Sequence, residues 1–188
     1  MVFRSIGILA AAAAALTGWA SQTPASAGEP GRIPPGIYAM YRGSNAEAEE
    51  IRSTVSKQCW SLPLVAYEDG LWIGRRLQSL ADIEKTGDYY RTLGTSTVVS
   101  QKGATIEVRA ENGAPGSGGH VENRTYEVRP AKRGSFLLVS LDGKDDRVLA
   151  SCMMPRFDIP GADGRNYFEE LTKRPDGHPA GIPTPWRG

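Results

Sequence analysis

The sequence predicts a mainly β fold of the α+β kind, with about eight short antiparallel strands forming a small barrel or sandwich and one N-terminal helix packed against them. Two observations carry that expectation. Residues 121–152 alternate apolar and polar side chains in three runs separated by turn residues, which is the period of a half-buried meander. Glu68-Asp69-Gly70, Lys102-Gly103 and Asp142-Gly143 each punctuate such runs with residues that tolerate positive φ, as tight hairpins require. Closure or stacking is then the economical way to leave no exposed edge.

Taken in order, the chain begins with a processing signal. Arg4 supplies the positive start, residues 6–16 an alanine-dominated apolar run, and Ala25-Ser26-Ala27 a small-x-small cleavage site, so residues 1–27 are expected to be removed. The run is too short for a membrane-spanning helix, and no later stretch is apolar enough. Leu16-Thr17-Gly18 resembles the start of a lipoprotein signal, but Trp19 stands where a cysteine would carry the lipid. No stable membrane anchor is expected after cleavage, and the mature chain is expected in the periplasm or secreted.

Residues 28–35 read as a flexible Gly- and Pro-containing lead-in, residues 36–174 as a single β-rich domain, and residues 175–188 as an extended Pro/Gly-rich tail whose last ten or so residues are expected to be disordered. Residues 36–42 form the first strand. Ser44-Asn45-Ala46-Glu47 has the form of a capping box, and Ala48, Ile51, Val55 and Cys59 recur at helical spacing, which predicts a helix over residues 44–58 ending at the cysteine. Residues 62–66 and 71–77 read as a hairpin. Ser79 caps a short helical turn that Gly87 ends, and Tyr89-Tyr90-Arg91 follows as a loop or strand entry. Residues 96–101 and 105–111 make the next hairpin. Residues 112–120 are too rich in Gly, Pro and Ser to be ordered by their own side chains. Strands follow over residues 123–129, 135–141 and 147–152, and a last short helix begins at Asp163 or Gly164 and carries Tyr167, Phe168 and Leu171.

Cys59 and Cys152 are the whole cysteine inventory, and an even count in an exported chain predicts a disulfide between them. Their spacing is not that of a redox or metal motif. Without residues 1–27 the chain has 21 basic and 21 acidic residues, since Arg4 is the one charge removed. That neutral, sign-mixed balance argues against nucleic-acid binding.

Chemical motifs are sparse. His120 and His178, the only histidines, fall in Gly- or Pro-rich segments that do not hold a general base in place. No nucleophile elbow, zinc motif or phosphate loop is present. Asp142, Asp145 and Asp146 lack the spacing of a calcium loop and read as a solvated turn. Asn123-Arg124-Thr125 matches the glycosylation pattern by coincidence in a chain with a bacterial type of leader. No catalytic residue, metal or cofactor is expected. The candidate ligand-binding residues are Tyr89, Tyr90 and Arg91, which could stack on a sugar or planar ligand, together with the aromatic Trp72. The functional expectation is a non-enzymatic binding or inhibitor module whose partner is an unknown protein or small molecule. The alternatives are an assembly partner in the cell envelope and an envelope enzyme using carboxylates or tyrosines.

Overall fold

In the computed structural model, which describes residues 32–43, 52–112, 119–131, 134–152 and 164–182, eight antiparallel strands close into a barrel in which every strand pairs with its sequence neighbour. The strands are β1 (Gly36–Arg42), β2 (Pro63–Ala66), β3 (Leu71–Leu77), β4 (Tyr90–Lys102), β5 (Thr105–Asn112), β6 (His120–Pro130), β7 (Phe136–Ser140) and β8 (Arg147–Ser151). Pairing of β1 with β8, from Tyr38 opposite Ser151 to Arg42 opposite Arg147, closes the ring. The choice left open between barrel and sandwich is thereby decided.

Period-2 alternation sorts the apolar side chains onto two faces. Tyr38, Leu64, Ala66, Trp72, Ile106, Val108, Tyr126, Val128, Leu138 and Leu149 form one buried cluster drawn from strands all round the ring, and this fills the barrel interior. A second cluster lies outside. Ile37, Ala39, Tyr41, Val65, Ile73, Tyr90 and Ala150 cover the outer wall from β8 through β4 and meet Cys59, Tyr167, Phe168 and Leu171 of two helices. The wall formed by β5 and β6 carries Glu107, Arg109, Glu127 and Arg129 instead, as a solvated face should.

Among the described residues three helices accompany the strands: α1 (Arg52–Ser61), α2 (Leu80–Thr86) and α3 (Gly164–Thr172). The expected capping box lies outside the described residues, as does the expected signal segment. Helix α1 continues past Gln58, so Cys59 sits within its last turn and not beyond its end. The Leu62 amide donates to the Gln58 carbonyl, which commits Leu62 to the helix end and starts β2 at Pro63, a residue with no amide to offer a ladder. Helix α1 lies against the outer wall rather than across a barrel opening. Helix α2 begins and ends as its sequence predicts. Ser79 Oγ accepts the Asp82 amide, and Gly87, with φ of 77°, donates its amide to the Ile83 carbonyl.

The Cys59–Cys152 disulfide, with Cα atoms 5.6 Å apart, ties α1 to the end of β8 inside the outer cluster. A disulfide fits a compartment outside the cytoplasm. Among the described residues no helix is long and apolar enough to cross a membrane.

Two strands begin earlier than expected. β4 begins at Tyr90, not Ser96, because the Thr-rich polar run 92–97 has strand propensity without an apolar stripe. β6 begins at His120, where pairing with Asn112 supplies the order that local composition does not. The β7–β8 connection is also wider than a two-residue turn. The Gly143 amide donates to the Ser140 carbonyl at 3.1 Å with Gly143 at φ 70°, and the strands resume pairing only at Leu138 opposite Arg147.

Candidate functional site

At one end of the barrel the β2–β3 turn, the β4–β5 hairpin and the segment entering β1 enclose a cleft of about 750 Å³. Trp72, Val98 and Ile106 point from the filled interior to form its floor. Tyr67, Glu68, Asp69 and Gly70 make one side, Val99, Ser100, Gln101, Gly103 and Ala104 the other, and Arg32 with Ile33 the third.

Local chemistry builds each wall. Gly70 takes φ of 82°, which lets the turn close with its amide on the Tyr67 carbonyl at 3.1 Å, while the Leu71 amide donates to Asp69 Oδ1 at 3.2 Å. The register slips between Val98 and Ser100, so Val99 is an extra residue in β4 and stands at the rim of the cleft, half exposed. The entering segment is pinned twice: Arg32 Nη2 donates to the Glu68 carbonyl at 3.1 Å, and the Tyr38 hydroxyl donates to the Pro34 carbonyl at 2.8 Å.

The chain after α3 supports the same turn from outside. Arg174 Nη2 contacts Asp69 Oδ2 at 2.8 Å and Asp176 Oδ2 at 2.5 Å, and its guanidinium lies 4.9 Å from the centre of the Tyr67 ring. The hydrogen bond from Arg174 holds the Asp69 carboxyl below the usual range. Burial pushes the Tyr67 hydroxyl up, against the pull of Arg75 and Arg174. Within residues expected to form an extended tail, Ala180 and Ile182 pack on the outer cluster, and Gly181 passes close to Glu68.

The sequence-predicted ligand residues do not converge on one place. Trp72 lines the cleft and is 5% exposed. Tyr90 faces the outer wall: its hydroxyl donates to the Trp60 carbonyl at 2.8 Å and shares a 2.5 Å hydrogen bond with the Tyr167 hydroxyl, and its ring meets that of Tyr167 edge-on at 5.6 Å. Burial, reinforced by Tyr167, raises the Tyr90 hydroxyl far above its ordinary pKa. Tyr89 packs partly buried against the same outer cluster, and Arg91 is exposed at the far end of the barrel, opposite Arg76. The cleft residues Arg32, Val99, Ser100 and Gln101 escaped the sequence reading, because they come together only when two hairpin ends meet the chain entering β1.

The acidic turn differs from its expectation as well. Asp145 is only 17% exposed and faces three guanidiniums: Arg42 Nε at 3.4 Å, Arg147 Nη2 at 2.7 Å, and Arg124. Burial alone would raise the Asp145 carboxyl, but the hydrogen bond from Arg147 and the three positive charges outweigh it and hold the group low. Asp142 instead accepts the Ser140 hydroxyl and the Lys144 amide, and Asp146 accepts the Ser140 amide, so these two acids order the connection itself. Among the described residues no cluster of three His, Cys, Asp or Glu side chains is arranged to hold a metal.

The chain matches no protein-family model, and a search of curated proteins found no match either.

Proposed function

We propose that the chain is an exported, non-enzymatic binding module that acts in the periplasm or outside the cell and takes its ligand in the cleft at Trp72. The cleft itself carries this reading. Its volume falls within the range of small-molecule sites, its floor is apolar and aromatic, and a few polar groups stand at the rim to orient what enters. An aromatic or branched aliphatic group, on a small molecule or on a protein side chain, has the complementary chemistry. The rim carboxylate of Asp69 is committed to Arg174, which favours a positioning role over proton transfer.

A neutral aromatic probe, N-phenyl-1-naphthylamine, tests the site. Saturable binding of one probe per chain is expected, with quenching of tryptophan emission, and Val99→Asp at the half-exposed rim should weaken it about tenfold without altering the fold. Absence of saturable binding, or an unaffected Val99→Asp variant, overturns the assignment. Export is checked separately by the mass of the periplasmic protein, which should begin at Gly28.

A further inference from the structure

The barrel end opposite the cleft carries an unusual charge arrangement. Arg42 on β1 stands directly opposite Arg147 on β8, and Arg76 on β3 directly opposite Arg91 on β4. Like charges in direct cross-strand register repel, and a sheet under no other demand avoids them. Here the juxtaposition occurs twice at the same mouth.

Alternation turns these side chains toward the bore. Tyr38 and Leu149 point inward, and Arg42 and Arg147 share their respective parities. Arg75 reaches outward to the Lys173 carbonyl and to Thr92 Oγ1 at 3.0 Å, which leaves Arg76 on the inner face. Tyr90 packs outward, which leaves Arg91 inward. Arg124 has the parity of the interior residues Tyr126 and Val128. In the closed ring β4 stands across from β8, so the Arg76–Arg91 and Arg42–Arg147 pairs lie on different sides of the same opening.

Against these five guanidiniums the described residues place two inward carboxylates, Asp145 and Glu122, and both are engaged by Arg124. Arg76 and Arg91 form no ion pair among the described residues and are exposed. Arg42 touches Asp145 only through Nε, at 3.4 Å, with its side chain 78% exposed. Met40, on the same inner face, remains 39% exposed, and between Trp72 and the Arg76–Arg91 pair the facing positions of β3 and β4 are Gly74 and Gly94, which carry no side chain into the bore.

We infer that this mouth binds a small multivalent oxyanion, of the phosphorylated or polycarboxylate class. Planar guanidinium forks bind such groups in pairs, and Asp145 keeps Arg42, Arg124 and Arg147 in position as their standing counter-charge. The excess of positive charge, enclosed by the low-dielectric barrel wall, concentrates anions at the opening. The site is separate from the Trp72 cleft, and either can stand without the other.

Calorimetry and thermal melts with inorganic pyrophosphate and with citrate, each against sodium chloride at equal ionic strength, test the inference. A single saturable site is expected for at least one of the two anions, and which one binds distinguishes phosphate from carboxylate recognition. Arg42→Gln and Arg91→Gln, both at exposed positions, should each weaken it about tenfold. Arg129→Gln, on the outer wall, and Val99→Asp, at the other end, should leave it unchanged. The inference fails if neither anion exceeds chloride, if both mouth variants bind as the parent does, or if Arg129→Gln weakens binding as much as they do.

Discussion

The Tyr90 hydroxyl shows how a residue attractive for ligand binding becomes structural once its surroundings are fixed. One phenol joins the C-terminal end of α1, the start of β4 and α3 through its bonds to Trp60 and Tyr167. Tyr90→Phe keeps the ring packing and removes both of these hydrogen bonds, so it should lose about 1–2 kcal/mol in denaturant unfolding. Tyr41 makes the opposite case. Its hydroxyl is buried with no partner among the described residues, and Tyr41→Phe should leave stability unchanged or raise it by up to ~1 kcal/mol. Asp145 contributes to the acid response. Its folded pKa lies below the unfolded value of about 4. The ionised group therefore stabilises the fold above that pH, and the contribution is lost as pH falls through the folded value. Asp145→Asn should lower stability at neutral pH and flatten the acid limb of a stability–pH profile, with little difference from the parent at the acid extreme.

At the scale of elements, the β3–β4 pair shows where backbone space decides the sequence. Gly74 and Gly94 stand opposite each other, next to the register shift that lets β3 and β4 bend. A Cβ on Gly94 would lie 2.9 Å from the Glu111 carbonyl oxygen, and that neighbour is ladder backbone that cannot yield without breaking the β4–β5 pairing. Gly94→Ala should therefore cost about 1–3 kcal/mol, measured as a lower denaturation midpoint with an unchanged m value. Helix α2 was legible to the residue, since Ser79 and Gly87 act through local hydrogen bonds. The extra length of β4 was not, because its first residues, 90–92, are held by pairing with β3 and those from Gly94 on by β3 and β5, while its own pattern is polar and Gly-containing.

For the whole molecule, one outer layer distinguishes this barrel from a bare ring of strands. Helices α1 and α3 bury the outer faces of β8, β1, β2 and β3, and the disulfide fixes α1 to the end of β8 across 93 residues. Replacing Cys59 and Cys152 by serine frees that long loop in the unfolded chain and should cost about 4 kcal/mol in the chain-entropy account. Equilibrium unfolding of the double variant beside the parent gives the value. A loss well below ~1 kcal/mol would mean that packing of Tyr167, Phe168 and Leu171 alone secures the outer layer.

By itself the sequence determined the strand count, most strand bounds, the last two helices and the cysteine pairing, because each is written in alternation, turn residues, caps or an inventory of two. Only the tertiary structure decided that the strands close into a ring, which face of each strand is inside, and that α1 lies on the wall. It alone brought Trp72 together with two hairpin ends, and set the Arg42–Arg147 and Arg76–Arg91 pairs at the opposite mouth. Period-2 patterning marks which residues share a face, but closure alone makes one face interior, and residues distant along the chain become neighbours only when the first and last strands meet.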